Sequence, residues 1–334
     1  MNGFSADNAE NAEPGLRPAA VSSSSRQGSA TTHPSALSAR SAVNSLVEPR
    51  SRSGRLAHVV AREAALAAGD IIRQGRRTGF STTLKGPRNP VTEVDLAAER
   101  LLVDRLLAEF PDHGVLAEEQ VSDDRPGLYR WLIDPLDGTR NYVRGIPHCC
   151  VSLALEREGQ ILLGIVYDPL RHELFSARYR KGAWLGKRRL ALDPAITLNA
   201  ALIGFDIGYD DAVAGEALGW ASRLWPGPQS FRIMGSAALG LAYVAAGRLD
   251  LYFHLRLYPW DTAAGMLLVR EAGGLVTDRH GGPADLSSRS CVAAAAPLLK
   301  SFCSRLEQPG TLARASPAPE PLDPRSRVPN RPKE

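Results

Sequence analysis

The order of hydrophobic patterns along this chain predicts a layered α/β protein. Three observations carry that expectation. Two segments of helical period come first, short strand-like runs follow from Val115, and the second half alternates strand with helix. The chain has 334 residues, 44% apolar and 23% charged, which suits one large or two ordinary globular domains.

The first helix is expected at about 56–74, where Leu56, Val60, Ala64, Ala67 and Ile71 recur on one face. After a Gly/Pro-rich loop, Asp95 stands directly before Leu96-Ala97-Ala98-Glu99 and is placed to cap a second helix with Ala98, Leu102, Leu106 and Phe110 on its buried side. Strand-like runs at 131–133, 149–155 and 161–167 suggest an antiparallel sheet. Then come a strand at 201–205, a helix at 237–246, a strand at 249–253 and a helix at 262–272. The expected division is 56–195 for an α+β part and 196–307 for an α/β part. No internal repeat is present.

Both flanks have the composition of chain without a packed core. Residues 1–55 carry Ser22-Ser23-Ser24-Ser25 and no sustained apolar period, and 308–334 carry Pro317, Pro319, Pro321, Pro324, Pro329 and Pro332. The flanks also explain the net charge of +4. Residues 1–55 hold six basic and four acidic residues, and 308–334 hold five and three, so 56–307 is neutral. The basic balance therefore argues against a folded nucleic-acid surface. The Ser/Arg-rich start resembles an organellar transit peptide, but Asp7, Glu10 and Glu13 run against that reading. A cytoplasmic location is expected. No apolar run approaches the roughly 18 residues of a membrane span. Four cysteines, with Cys149 and Cys150 adjacent in an apolar run, fit a reducing compartment and a core strand. His113 and His148 lack metal-ligand spacing, and Lys187-Arg188-Arg189 reads as a hairpin end.

The chemistry concentrates in Trp131-Leu132-Ile133-Asp134-Pro135-Leu136-Asp137-Gly138-Thr139. A strand ending at Asp134, stopped by Pro135 and turned at Gly138, would project two carboxylates three residues apart with the Leu136 carbonyl between them. Hard cations such as Mg²⁺ need such an all-oxygen supply. The Gly138 and Thr139 amides, if they open a helix, offer donors to a phosphate. An ordinary Asp-rich turn is the plain alternative. Glu118-Glu119 lies upstream, and singly would be a solvated pair. Asp261, in Trp260-Asp261-Thr262-Ala263-Ala264-Gly265, would singly be a helix cap.

Together, WLIDPLDGTRNYVRG and WDTAAGMLLVREAGG resemble the two signatures of the inositol monophosphatase family of Mg²⁺-dependent, lithium-sensitive phosphatases, over about 56–306. The resemblance implies an αβαβα sandwich of the inositol monophosphatase and fructose-1,6-bisphosphatase type. It implies Glu118, Asp134, the Leu136 carbonyl, Asp137 and Asp261 as ligands of two or three Mg²⁺, with inhibition by Li⁺. It implies Glu118, Thr139 and Asp95 as the residues that position a metal-activated water. Lys85 matches the lysine of a mobile loop over the site. Leu136, Asp137, Gly138, Thr139, Gly235, Ser236, Ala237, His254 and Asp261 fall where substrate is held, Gly235-Ser236-Ala237 beside its alcohol portion. Two positions depart from the pattern. Asn89 replaces a common acid, and His254, seven residues before Asp261, replaces a glutamate that meets ring hydroxyls; Arg256 is the neighbour that would contact substrate if His254 points away.

The activity so implied is hydrolysis of a small phosphate monoester, of the inositol 1-phosphate type, by a homodimer without membrane attachment. Histidinol phosphate, fructose 1,6-bisphosphate and nucleotide 3′-phosphates are alternative substrates on the same site. A reading of another class is a regulatory binding protein that keeps the phosphatase fold and works through partners such as the transcription or RNA machinery.

Overall fold

A computed structural model of the chain describes residues 47–119, 122–123 and 127–308. Five layers alternate helix, sheet, helix, sheet, helix. The outer layer is α1 (Ala57–Thr78) and α2 (Glu93–Glu109), joined through the hairpin β1 (Thr82–Gly86) and β2 (Asn89–Thr92). Ala57, Ala61, Ala64, Ala65 and Ala68 give α1 a smooth buried face, so it lies close to α2 and to the first sheet.

The first sheet has eight strands: β3 (Gly114–Ala117), β4 (Ser122–Asp123), β5 (Tyr129–Asp137), β6 (Cys150–Arg157), β7 (Gln160–Asp168), β8 (Glu173–Arg178), β9 (Gly182–Leu185) and β10 (Arg188–Arg189). Their order is β10-β9-β8-β7-β6-β5-β3-β4, antiparallel except for the parallel β3–β5 pair. Antiparallel pairing was legible in the short runs and tight turns. The one parallel pair was not, because it depends on where the chain re-enters the sheet.

The second sheet combines β11 (Leu202–Asp206), β12 (Ser230–Arg232), β13 (Leu251–His254), β14 (Leu275–Thr277) and β15 (Cys291–Ala294) in the order β12-β11-β13-β15-β14. Between the sheets lie α5 (Ala237–Ala245) and α6 (Pro259–Glu271), each apolar nearly all round because each faces a sheet on both sides. The last layer, α4 (Asp211–Leu224) and α7 (Ala296–Glu307), covers the far face of the second sheet around Phe205, Phe253 and Phe302. A five-residue helix, α3 (Thr139–Val143), follows β5.

Four expectations are corrected. The first concerns residues 47–55, assigned above to the N-terminal flank, which belong to the folded body. Glu48 Oε1 accepts the His58 N–H at 2.6 Å, Arg52 N–H reaches the Glu109 carbonyl at 2.9 Å, and Ser51 is buried. These are polar contacts without an apolar period, so composition hid them. Residues 1–46 and 309–334, and the calls made on them, lie outside the described residues.

Second, Asp95 does not precede α2 but lies in its first turn. Thr92 is the N-cap, accepting from Val94 N and Asp95 N, while the Asp95 carboxylate returns to the Thr92 N–H at 2.9 Å. This is the reciprocal arrangement of a capping box. Third, Pro135 does not end its strand. β5 runs on to Asp137 through a register shift between Asp134 and Asp137, which absorbs the missing proline donor. Fourth, Lys85 sits on a strand of the β1–β2 hairpin rather than in a loop.

The α6 helix owes its position to Gly164 on β7. A methyl group there would stand 2.7 Å from the Ala264 carbonyl oxygen and 2.9 Å from its Cα, backbone atoms that cannot turn aside. Gly164→Ala is expected to destabilise the fold by about 1–3 kcal/mol through overpacking. It also pushes α6 off the sheet at Ala264; an unchanged melting temperature would contradict this. A fragment of residues 47–308 should melt with the full chain, whereas 56–307 should melt on the order of 3–8 °C lower after losing the Glu48 and Arg52 contacts. Differential scanning calorimetry of both fragments checks the boundary.

Candidate active site

A cleft of about 770 Å³ opens where the end of β5, the start of α6, the start of α5 and the end of β11 meet. Its walls include Lys85, Glu118, Asp134, Leu136, Asp137, Gly138, Thr139, Gly235, Ser236, Ala237, His254 and Asp261. Asp95 lies behind them, bonded to Thr139. The structure thus brings the residues assigned to the site from the sequence to one place.

Three aspartates are held in the same manner. Asp134 Oδ1 accepts the Leu136 N–H at 3.0 Å. Asp137 Oδ2 accepts from Ser236 Oγ at 2.5 Å and Ala238 N at 2.8 Å. Asp261, third in α6, reaches back to the Tyr258 N–H at 2.8 Å. In each case one oxygen is fixed, and the other has no N–H or hydroxyl donor among the described residues. Gly138 makes the turn possible. Its φ is +91°, and a Cβ there would stand 2.8 Å from the His148 carbonyl oxygen.

Crowding of like charge shows in the acids. Burial, then Glu118, Asp137 and Asp261, pushes the Asp134 carboxyl well above the usual range. Burial, then Glu118 and Asp137, does the same for Asp261. Burial raises Asp137 to about 6 against the opposing hydrogen bonds of Ser236 and Ala238. Glu119 is not the solvated residue that a Glu-Glu pair suggests. Its side chain is 2% exposed, and burial with the Glu118 charge raises it to about 7. Lys85 Nζ stands 2.9 Å from Glu118 Oε1 and 2.7 Å from Glu119 Oε1. Burial opposes its charge, but the two glutamates outweigh that and hold its ammonium above the usual range.

Among the described residues, no three carboxylate, imidazole or thiol groups stand as a preformed metal shell. The chemistry of the donor set nevertheless fits a hard divalent cation. It is all oxygen, partly free of protein donors, and burdened by charge that a cation offsets.

Behind the acids, Asp95 gathers three donors. Thr92 supplies its N–H and its hydroxyl (2.5 Å), and Thr139 Oγ1 lies 3.0 Å from Asp95 Oδ1. Thr139 Oγ1 is also 2.9 Å from the Leu136 carbonyl. Burial raises Asp95 in spite of these bonds. Cys149 and Cys150 are buried in the core, as are His113 and His148.

Several residues of the cleft carried no signal in the sequence. Asp206 ends β11 and holds the 234–235 turn by accepting from Met234 N (2.9 Å) and Gly235 N (2.6 Å), and it takes the Tyr252 hydroxyl at 2.8 Å. The strand expected at 201–205 stopped one residue short of it. Arg140 lies over the Tyr209 ring at 3.8 Å, and Tyr258 stacks on Trp260 at 4.9 Å. The Asp206 and Arg140 contacts join distant segments, and no local pattern announces them.

The layers and the acidic cleft between them define a class: an αβαβα protein with carboxylates gathered beside the central helix layer. The profile of the inositol monophosphatase family matches residues 56–311, and the chain belongs to that family. The chain is 40% identical over 253 residues to the Nus factor SuhB of Pasteurella multocida (strain Pm70), covering 74% of this chain and 94% of that one. It is 39% identical over 260 residues to inositol monophosphatase 2 of Solanum lycopersicum, covering 75% and 97%. Among solved structures, the extragenic suppressor protein SuhB of Bartonella henselae superimposes with a TM-score of 0.71 at 34% identity, covering 75% of this chain and 97% of that one.

The raised acids set a pH dependence in chelated protein. A carboxyl raised in the folded state destabilises as pH climbs from its unfolded value, near 4, through its folded value, because the unfolded chain releases the proton more readily. His113, His148 and His254, lowered by burial to about 4, act oppositely and lose stability as pH falls below about 6.5. Comparing wild type with Asp137→Asn isolates the acids. From pH 5 to pH 8 the variant should gain on wild type by on the order of 5 °C. Parallel melting curves across that range would refute the charge crowding.

Proposed function

We propose that the chain is a Mg²⁺-dependent phosphatase that hydrolyses a small phosphate monoester, of the inositol 1-phosphate kind, in this cleft. The observation that carries the reading is the convergence of Glu118, Asp134, Asp137 and Asp261. Such a cluster is unfavourable without counter-charge, and three of its members keep an oxygen free of protein donors. These four, with the Leu136 carbonyl, would hold two or three ions. When bound, Mg²⁺ supplies charge neutralisation to the phosphoryl group and acidity to a water.

The residues of the chain account for the rest. Asp95, by accepting the Thr139 proton, leaves the Thr139 oxygen as an acceptor aimed at the attacking water. Glu118, now paired with Lys85, would accept a hydrogen bond from that water once the lysine turns to the phosphate. The Gly138 and Thr139 amides offer donors to the phosphate. Gly235, Ser236, Ala237 and His254 border the leaving group. Fixed in advance by backbone bonds, these groups need little reorganisation as charge develops.

Histidinol phosphate, fructose 1,6-bisphosphate and nucleotide 3′-phosphates remain alternative substrates. The family resemblance supports a cytoplasmic homodimer, and among the described residues no helix is long and apolar enough to cross a membrane. A second reading, regulation through partners, is favoured by relatives called Nus factor. The retained acids favour catalysis, and phosphate release with and without Mg²⁺ separates the two. In the same spirit, residues 47–308 are proposed as the catalytic body.

Asp134→Asn, Asp137→Asn and Asp261→Asn should each lower kcat on the order of 100-fold or more while the protein stays folded by circular dichroism, since each removes charge rather than packing. Millimolar Li⁺ should inhibit, and Mg²⁺ should raise the wild-type melting temperature more than that of the variants. Near-normal turnover by Asp137→Asn would refute the assignment.

A further inference from the structure

His254 is 95% buried, at the end of β13, and lines the cleft. Its Nδ1 accepts the Arg256 N–H at 3.1 Å. An imidazole that accepts at Nδ1 carries its proton on Nε2. Burial, which lowers this group to about 4, keeps the ring neutral near pH 7 and the tautomer in place. Among the described residues Nε2 has no partner. The ring edge bearing it lies under Gly208, where a Cβ would stand 3.1 Å from Cε1 and 3.5 Å from Nε2. An N–H on the cleft wall thus has no protein acceptor and is left to water or a ligand.

The carboxylates on the same wall are already occupied. Asp206 takes two amides and the Tyr252 hydroxyl. Asp210 takes the amides of Ala212 (3.0 Å) and Val213 (3.1 Å), and its other oxygen pairs with Arg256. The remaining charged groups nearby are donors: Arg256, and Arg140, whose Nη1 reaches the Gly208 carbonyl at 3.2 Å. This wall offers donors and few vacant acceptors. A hydroxyl-rich ring placed there could receive hydrogen bonds but would find no unoccupied carboxylate there for its own O–H groups.

We infer that the His254 wall selects a phosphate monoester whose alcohol portion presents a hydrogen-bond acceptor without a proton, a carboxylate or a ring carbonyl, to His254 Nε2–H. The inference rests on the phosphatase reading and narrows its substrate class. A carboxylate suits the N–H and the positive charge that Arg256 and Arg140 bring to the same cleft. A ring carbonyl meets the N–H, and its ring can lie against the stacked pair Tyr258 and Trp260. A missing polar partner of this kind can discriminate substrates strongly.

The test is a panel with Mg²⁺: 3-phosphoglycerate for the carboxylate, uridine 3′-monophosphate for the ring carbonyl, and myo-inositol 1-phosphate for hydroxyls. 4-Nitrophenyl phosphate serves as reference. In wild type, kcat/KM for one of the acceptor esters should exceed that for inositol 1-phosphate at least tenfold, and the better arm identifies the source. His254→Glu, which exchanges the donor for an acceptor, should shrink that ratio at least tenfold. His254→Gln, which keeps an N–H, should preserve the order. Thermal shifts with the same esters and Ca²⁺ read the same discrimination without turnover. No hydrolysis of any ester, the reference included, overturns the phosphatase reading, and the order of the shifts then decides the role of His254. Turnover with inositol 1-phosphate preferred by wild type, or one ranking shared by wild type and His254→Glu, overturns the inference.

Discussion

Four carboxylates held in one partly buried cleft are the constraint on which the rest of this structure depends. Like charges brought out of water repel and are poorly solvated, so a fold that gathers them must fix each one from behind. Asp134 and Asp261 are tied to backbone N–H groups, and Asp137 to an amide and a hydroxyl. Lys85 stands between Glu118 and Glu119 as the local counter-charge. The raised carboxyl groups record what remains uncompensated. That residue of repulsion is what a divalent cation would use.

The layers serve this constraint directly. Asp134 and Asp137 come from the end of a central strand, Glu118 from the end of its parallel neighbour, and Asp261 from the first turn of the helix that crosses the same sheet. Close packing behind them sets their separation, since Gly164 lets α6 approach the strands within backbone contact. On the outer side, the Thr92–Asp95 capping box fixes the start of α2 and so holds the carboxylate that receives Thr139. The aspartate that closes the helix cap also accepts from Thr139, and these donors offset part of the cost of burying Asp95.

The two halves of the cleft differ in chemistry. On one side the residues are acids with free oxygens, suited to cations and, through them, to phosphate. On the other side carboxylates are consumed internally, His254 keeps one N–H without a protein acceptor, and Arg256 and Arg140 add positive charge. Family membership accounts for the first side. The second is built around His254 and Arg256, which lie just before the WDTAAG segment without being part of it.

The sequence by itself determined the layered class, most element centres and the acids of the cleft, because each has a local signature. Helical and strand periods come from neighbours a few residues apart, and WLIDPLDGT or WDTAAG states a turn or helix start and its acids within nine residues or fewer. Folding decided what depends on distant segments. The β3–β5 pair proved parallel, β5 continued past Pro135 through a register shift, and 47–55 joined α1 and α2 through polar contacts. Asp206 gained its role from the 234–235 turn and Tyr252. His254 acquired a fixed tautomer only because the Arg256 amide occupies one ring nitrogen while burial strips the ring of water. Hydrogen-bond direction and desolvation are properties of assembled neighbours, and no stretch of sequence contains them in advance.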